Sequence, residues 1–255
     1  MRRLLERWTV VVLVLVAWEL APALGLVDPF FISRPSQIVM RLAQWVSTGQ
    51  LATNVLASAE EAAAGFVIGA VLGTAAGLCC GLIRPVARAL VPLLTIGNAL
   101  PKLAFAPLLI AWFGFGMSSK IVLAAGVVFF FVFFGIYGGL RNSDPLVVAN
   151  ARMLGGGGPA MLRHVYLPSA VGWIVASLRL GVAYAFAAAV VGEYLGADRG
   201  LGFAIIYGKN MLDMTDVFAG LVVIIALVGV LDAALQRTAD WLLPYRATVG
   251  TDVRL

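Results

Sequence analysis

Apolar residues do not alternate with polar ones along this chain; they run. Long stretches at 8–26, 62–83, 90–113, 121–140, 170–192 and 217–235 are separated by short segments that hold most of the charged and turn-forming residues. Each stretch is about 20 residues long, the length a helix needs to cross the hydrocarbon core of a bilayer. Lipid offers no hydrogen-bond partners, so each span must satisfy its own backbone, as an α-helix does. The pattern predicts an all-α polytopic membrane protein with six transmembrane helices.

Composition agrees. The 255 residues are 62% hydrophobic and 12% charged, with a mean hydropathy of +0.98. A soluble domain carries about a quarter of its residues as charged, so lipid must replace water over much of this surface. Arg2 and Arg3 ahead of the first run, and Ala21-Pro22-Ala23 near its end, resemble a cleavable signal. The length of the run, with Trp18 and Glu19 late in it, favours a retained helix.

Six spans put both termini on one side of the membrane. That side holds Arg2, Arg3, Arg7, Arg84, Arg88, Arg141, Arg152, Arg163, Arg237, Arg246 and Arg254. The other holds Arg34, Arg41, Lys120, Arg199 and Lys209, while Lys102 and Arg179 fall inside spans. Positive charge concentrates on cytoplasmic loops, so the termini and segment 141–168 are expected in the cytoplasm. The net charge of +5 then serves topology and lipid headgroups, and nothing suggests nucleic acid.

Gly65, Gly69, Gly73, Gly77 and Gly81 recur at every fourth position of the second run. Residues four apart share a helix face, and a glycine face lets another backbone approach closely. Packing within the bundle and packing across a dimer are both open. Cys79 and Cys80 read as small apolar fillers, and no metal site is expected. In the third run Pro101 and Pro107 interrupt the backbone ladder, and Lys102 follows the first of them. An ionisable group at membrane depth marks a functional candidate, but near a helix end it can snorkel to the interface. Arg179 of the fifth run carries the same choice between a path role and a pairing with carbonyls or Glu193. Glu60 and Glu61 are expected at the interface.

Segment 141–168 departs most from its surroundings. Asp144 before Pro145 reads as a helix N-cap with proline in the first turn. The helix should end at Gly155 through a glycine cap, with Leu146, Asn150, Met153 and Leu154 near one face and Val147 beside it. After the glycines, Pro159 is expected to open a second short helix that ends before Leu167-Pro168. Two short helices joined by a hinge suit insertion into a groove on a partner.

This segment resembles the cytoplasmic loop of ABC importer permeases, with the pattern EAA, three residues, Gly, nine residues, Ile, one residue, Leu-Pro. Ala151, Gly155, Val165, Leu167 and Pro168 fall at the matching spacings, while Ala149 stands in place of Glu and Asn150 in place of the first Ala. SAEEAAAGF at 58–66 has the letters EAA without the spaced Gly or Leu-Pro. FISRPSQIVMRL, PLLIAWFGFG, SLRLG and VVGEYLGADRGLGFAI extend the likeness to the nitrate/sulfonate/taurine subfamily, which also includes thiamine-precursor and riboflavin permeases. The resemblance implies a type I ABC importer permease fold in a bacterial plasma (inner) membrane, with a second permease copy, two ATPase subunits and an extracytoplasmic solute-binding protein. It implies that the loop 141–168 docks on the ATPase as a coupling helix. Arg152, Met153, Leu154 and Arg163 would contribute with the motif positions, and Arg152, Asn150 and Arg163 would supply the polar rim that a glutamate at 149 would otherwise share.

A phosphate-binding GxxxxGK[ST] loop is absent; Gly208-Lys209-Asn210 lacks both the hydroxyl and the earlier glycine. No catalytic residues are expected, and ATP with Mg belongs to the partner ATPase. The expected organisation is a helix and extracytoplasmic segment at 1–54, a five-helix core at 55–245 with the loop 141–168, and a cytoplasmic tail at 246–255. Lys102, Arg179 and Glu193 are the candidate translocation path, and their cations slightly favour a small anion. The rival is a secondary transporter, which often shows paired broken helices; one broken run is visible here. An intramembrane enzyme is disfavoured by the single histidine and the two cysteines.

Overall fold

The computed structural model describes residues 2–28 and 30–242; the tail expected at 246–255 lies outside them. The described residues are helical, without strands. The helices are α1 (Arg2–Ala23), α2 (Pro35–Ser47), α3 (Gln50–Leu82), α4 (Arg84–Ala99), α5 (Ala106–Phe113), α6 (Met117–Arg141), α7 (Pro145–Met153), α8 (Gly158–Met161), α9 (Leu167–Leu195), α10 (Leu201–Asn210) and α11 (Met214–Leu242). Among the described residues four stretches are long and apolar enough to cross a membrane: Gln50–Leu82, Met117–Arg141, Leu162–Leu195 and Met214–Arg237. The bent pair Arg84–Ala99 and Lys102–Phe113 adds a fifth if it counts as one span, and Val12–Ala23 is a shorter apolar helix.

The chain forms two compact units. One contains residues 61–189 and 227–255. Its organising contact is the glycine face of α3 against α6. A β-carbon added at Gly69 would lie 2.5 Å from the Ala125 carbonyl oxygen and 2.8 Å from Val128 Cβ. At Gly73 it would lie 2.7 Å from the Phe129 oxygen, and at Gly77 2.9 Å from Ile136 Cβ. Gly65 and Gly81 face Ala124 and Leu140 in the same way. The stripe is therefore filled by this chain's own α6, with Val128, Val132, Phe133 and Ile136 fully buried along it. Close backbones gain dispersion contacts, which hold helices together where lipid removes the hydrophobic drive. Gly135 and Gly139 of α6 receive Ser177 and Trp173 of α9 by the same device.

The other unit contains residues 1–60 and 190–226. Its α2, an amphipathic helix absent from the expected spans, buries Ile38 and Trp45 against Ala204 and Ala219, with Trp18 and Phe218 packed beside them. Arg41 on the same helix reaches both Asp213, at 2.8 Å, and Asp216. Partial burial opposes ionisation of Asp213, but the Arg41 guanidinium and the Thr215 and Asp216 N–H groups outweigh it and hold its carboxyl below its usual range. A carboxylate with a depressed folded value stabilises the fold above its unfolded value, about 3.9. That contribution is lost as pH falls through the folded value. Asp213→Asn should therefore lower the melting temperature of the purified protein at pH 7, and the gap to wild type should close in acid below the ordinary aspartate range. A constant gap across that window would contradict this account.

Several expectations need correction. The 62–83 run is part of a longer helix that begins at Gln50, because residues 50–61 are mostly good helix formers and their polar members Asn54, Ser58 and Glu61 are buried. Glu61 is buried within the protein, at 4% exposure. Lys120, assigned to a loop, lies in the first turn of α6 at 1% exposure and donates to the carbonyl oxygens of Phe115 and Gly116, the latter at 3.0 Å.

Candidate coupling segment and polar helix positions

Asp144 and the glycines set α7. The Asp144 carboxylate accepts the Leu146 N–H at 2.8 Å, a side-chain N-cap, and Pro145 loses nothing by lacking an N–H in the first turn. At the other end Gly155 has φ +84°, donates to the Arg152 carbonyl at 3.0 Å, and Gly156 donates to the Ala151 carbonyl at 2.9 Å. This pair of bonds is the Schellman motif. It requires glycine twice: once for the left-handed φ, and again because a β-carbon at 156 would sit 2.6 Å from the Ala151 oxygen.

Both caps hold a short helix whose apolar side chains face outward. Leu146 is 72% exposed, Met153 77% and Leu154 89%, with Val147 also exposed. Ala149, Asn150, Arg152 and Arg163 are exposed too, while Ala151 is half-buried. Met161 and Val165 are buried instead and anchor the return of the chain. That return differs from expectation: the second helix does not stop before Pro168. From α8 a π turn at Leu162–Tyr166, closed by the Leu167 N–H on the Leu162 carbonyl, runs straight into α9. Proline in a helix clashes with the carbonyl four residues back and cannot donate, and the wider turn ahead of Pro168 takes up that conflict.

The third expected span is broken. Leu100, extended at φ −69° and ψ 139° as the residue before a proline prefers, ends α4. A 3₁₀ turn at Lys102–Phe105 leads into α5, and the two helices meet at 79°. Lys102 turns back onto α4, donating to the Asn98 carbonyl at 2.8 Å and its Oδ1 at 3.0 Å, with Nζ 4.6 Å from the Phe130 ring centre. A cation there offsets the negative end of the α4 dipole.

Arg179 makes a two-pronged pair with Asp232 of α11, with one N–H···O distance of 2.6 Å, and reaches Gln236 at 3.4 Å. Asp232 is thus a partner of Arg179, a choice invisible in sequence because the residues lie 53 apart. Glu193 is fully buried and accepts the Gly202 N–H at 2.6 Å. Asn54 accepts from Gly200 at 3.1 Å and Ser58 from Leu201 at 2.9 Å, so three buried side chains take the opening N–H groups of α10. Asn54 and Ser58 were missed in sequence; their i, i+4 spacing was the available signal. Lys102 and Arg179 belong to one compact unit and Glu193 to the other.

Comparison with known proteins gives this architecture a family. Residues 65–245 match the model of the binding-protein-dependent transport system inner membrane component. The taurine transport system permease protein of Escherichia coli (strain K12) is 29% identical, with 97% of this chain and 96% of that protein covered. The formylaminopyrimidine transport permease protein of Halalkalibacterium halodurans is 29% identical over 92% of this chain and 93% of its own. A solved structure of the MetNI methionine ABC transporter in inward-facing conformations shares the fold, with a TM-score of 0.66 at 19% identity over 77% of this chain and 97% of that one. The chain belongs to the family of binding-protein-dependent transport system inner membrane components, in its nitrate/sulfonate/taurine subfamily.

Proposed function

We propose that this chain is the membrane-spanning permease subunit of an ABC importer, pairing with a second copy of itself. In this reading α1, the four long spans and the bent pair make six crossings, with both termini in the cytoplasm. ATP and Mg act on separate ATPase subunits, and an extracytoplasmic solute-binding protein delivers the solute. The single observation that carries the reading is the doubly capped α7 with Leu146, Val147, Met153 and Leu154 presented outward. Exposed apolar groups on a rigid, polar-ended helix suit a groove on a partner, and arginines at 152 and 163 can rim the contact.

The solute is a small one, and a sulfonate- or taurine-like anion is slightly favoured. Asp232 neutralises Arg179, so the charge argument rests on Lys102, whose partners at Asn98 are neutral oxygens. A thiamine-precursor or riboflavin-type solute is the second reading, supported by the formylaminopyrimidine relative. The test is affinity capture of the tagged chain from its native membrane, with mass spectrometry of what accompanies it. An ABC ATPase and a solute-binding protein are expected, and the binding protein's ligand names the solute. Recovery of the chain alone, under conditions that keep a known importer intact, would replace this reading with a secondary transporter.

A further inference from the structure

An open cavity of about 910 Å³ lies in the unit containing residues 61–189. The ends of α3 and α6, the start of α4, and α7 contribute to its walls. Arg84, Arg88, Arg141 and Arg152 all line it, with Tyr137 and Tyr166, and no aspartate or glutamate does. Among the described residues none of these four arginines is ion-paired with a carboxylate. Asp144, the nearest acid in sequence, has its carboxylate on the Leu146 N–H. Arg141 lies over the Tyr137 ring at 5.8 Å, which holds its guanidinium at the wall.

Four like charges around one concavity repel each other, and low-dielectric walls focus their field. Such a ring is relieved by an anion, and the guanidinium fork matches phosphate oxygens two at a time. The cavity has the size of a small-molecule site. It sits where α3 stops at Leu82 and α6 at Arg141, the ends of two helices long and apolar enough to cross a membrane. Leu82 and Val91 give it an apolar side. Basic pockets between membrane helices take anionic headgroups.

We propose that this cavity binds a phosphate-bearing anion, the phosphodiester of an anionic phospholipid being the occupant the apolar side favours. Free inorganic phosphate is the other source of the same chemistry. The proposal is independent of the transport reading and of which side of the membrane the cavity faces. Because Arg152 is on α7 and Arg84 and Arg88 on α4, the occupant ties the capped helix to a membrane helix.

The test is native mass spectrometry of the full chain released from nanodiscs of equal phosphatidylglycerol and phosphatidylcholine. Phosphatidylglycerol should be retained in strong preference, and R84Q/R88Q should weaken that retention roughly tenfold or more. R84K/R88K, which keeps the charge and loses the fork, should fall between. In nanodiscs of phosphatidylcholine alone, inorganic phosphate raising the Tm of wild type but not of R84Q/R88Q would assign the site to the free anion. Equal retention of both lipids by wild type, together with no phosphate effect on Tm, overturns the proposal. So does unchanged phosphatidylglycerol retention in R84Q/R88Q. Should that variant fail to fold, the wild-type lipid preference and the lysine variant decide the matter.

Discussion

Uptake through a Gly155→Leu chain is expected to fall to background while the protein still accumulates in the membrane at the wild-type level. The reason is local. Gly155 holds φ +84°, where a β-carbon costs about 1–2 kcal/mol. Nothing lies within 4 Å of the added atom, so no side-chain rearrangement can relieve it. The strain leaves when the residue abandons the left-handed region, and that breaks the two bonds closing α7. Gly156 is then re-aimed, and α8 with it, while the spans are untouched. Gly155→Asn should keep most of the activity, because asparagine tolerates this conformation. The check is solute-stimulated ATPase activity in the reconstituted importer. Normal stimulation with leucine at 155 would remove the basis for a coupling role of α7.

The second large effect concerns folding itself. Gly69→Val should destabilise the protein severely, with a cost of about 3 kcal/mol or more, the upper end for overpacked cores. The first new atom already lies 2.5 Å from the Ala125 carbonyl oxygen, and a backbone cannot step aside as a flexible side chain can. Separating α3 from α6 to admit it would also forfeit the contacts at Gly65, Gly73 and Gly77. Gly126→Val on α6 is the control. A β-carbon there meets nothing within 4 Å, so its effect should stay within about 0.5 kcal/mol. The thermal midpoint of detergent-purified protein separates the two. A wild-type midpoint for Gly69→Val would mean that α3 and α6 are not packed through the glycine face.

Much of this was legible in the sequence because it depended on local rules. The Asp144-Pro145 start, the Gly155 end and the four-residue glycine period follow from backbone chemistry that neighbouring residues decide. Pro101 likewise announced a break, though its 79° bend did not follow from the letters. What stayed hidden depended on distant partners. Arg179 finds Asp232 only when two helices pack, and Asn54 and Ser58 matter only because α10 begins beside them. Pro168 misled for another reason. Its usual effect is to end a helix, and here one wide turn absorbed it. The amphipathic α2 was overlooked because a 13-residue helix is too short for a count of spans to register.

That wide turn has a geometric consequence. An α-helix advances about 100° in azimuth per residue, so a π turn, which holds one residue more, offsets the phase of everything before it by about that amount. Val165 and Met161 are buried at the present phase. Restoring regular α geometry between Leu162 and Tyr166 would swing the hinge and α7 around the α9 axis by more than a quarter of a circle, leaving α9 where it is. The direction in which Leu154 points is thus written in the pitch of a single turn at the foot of α9.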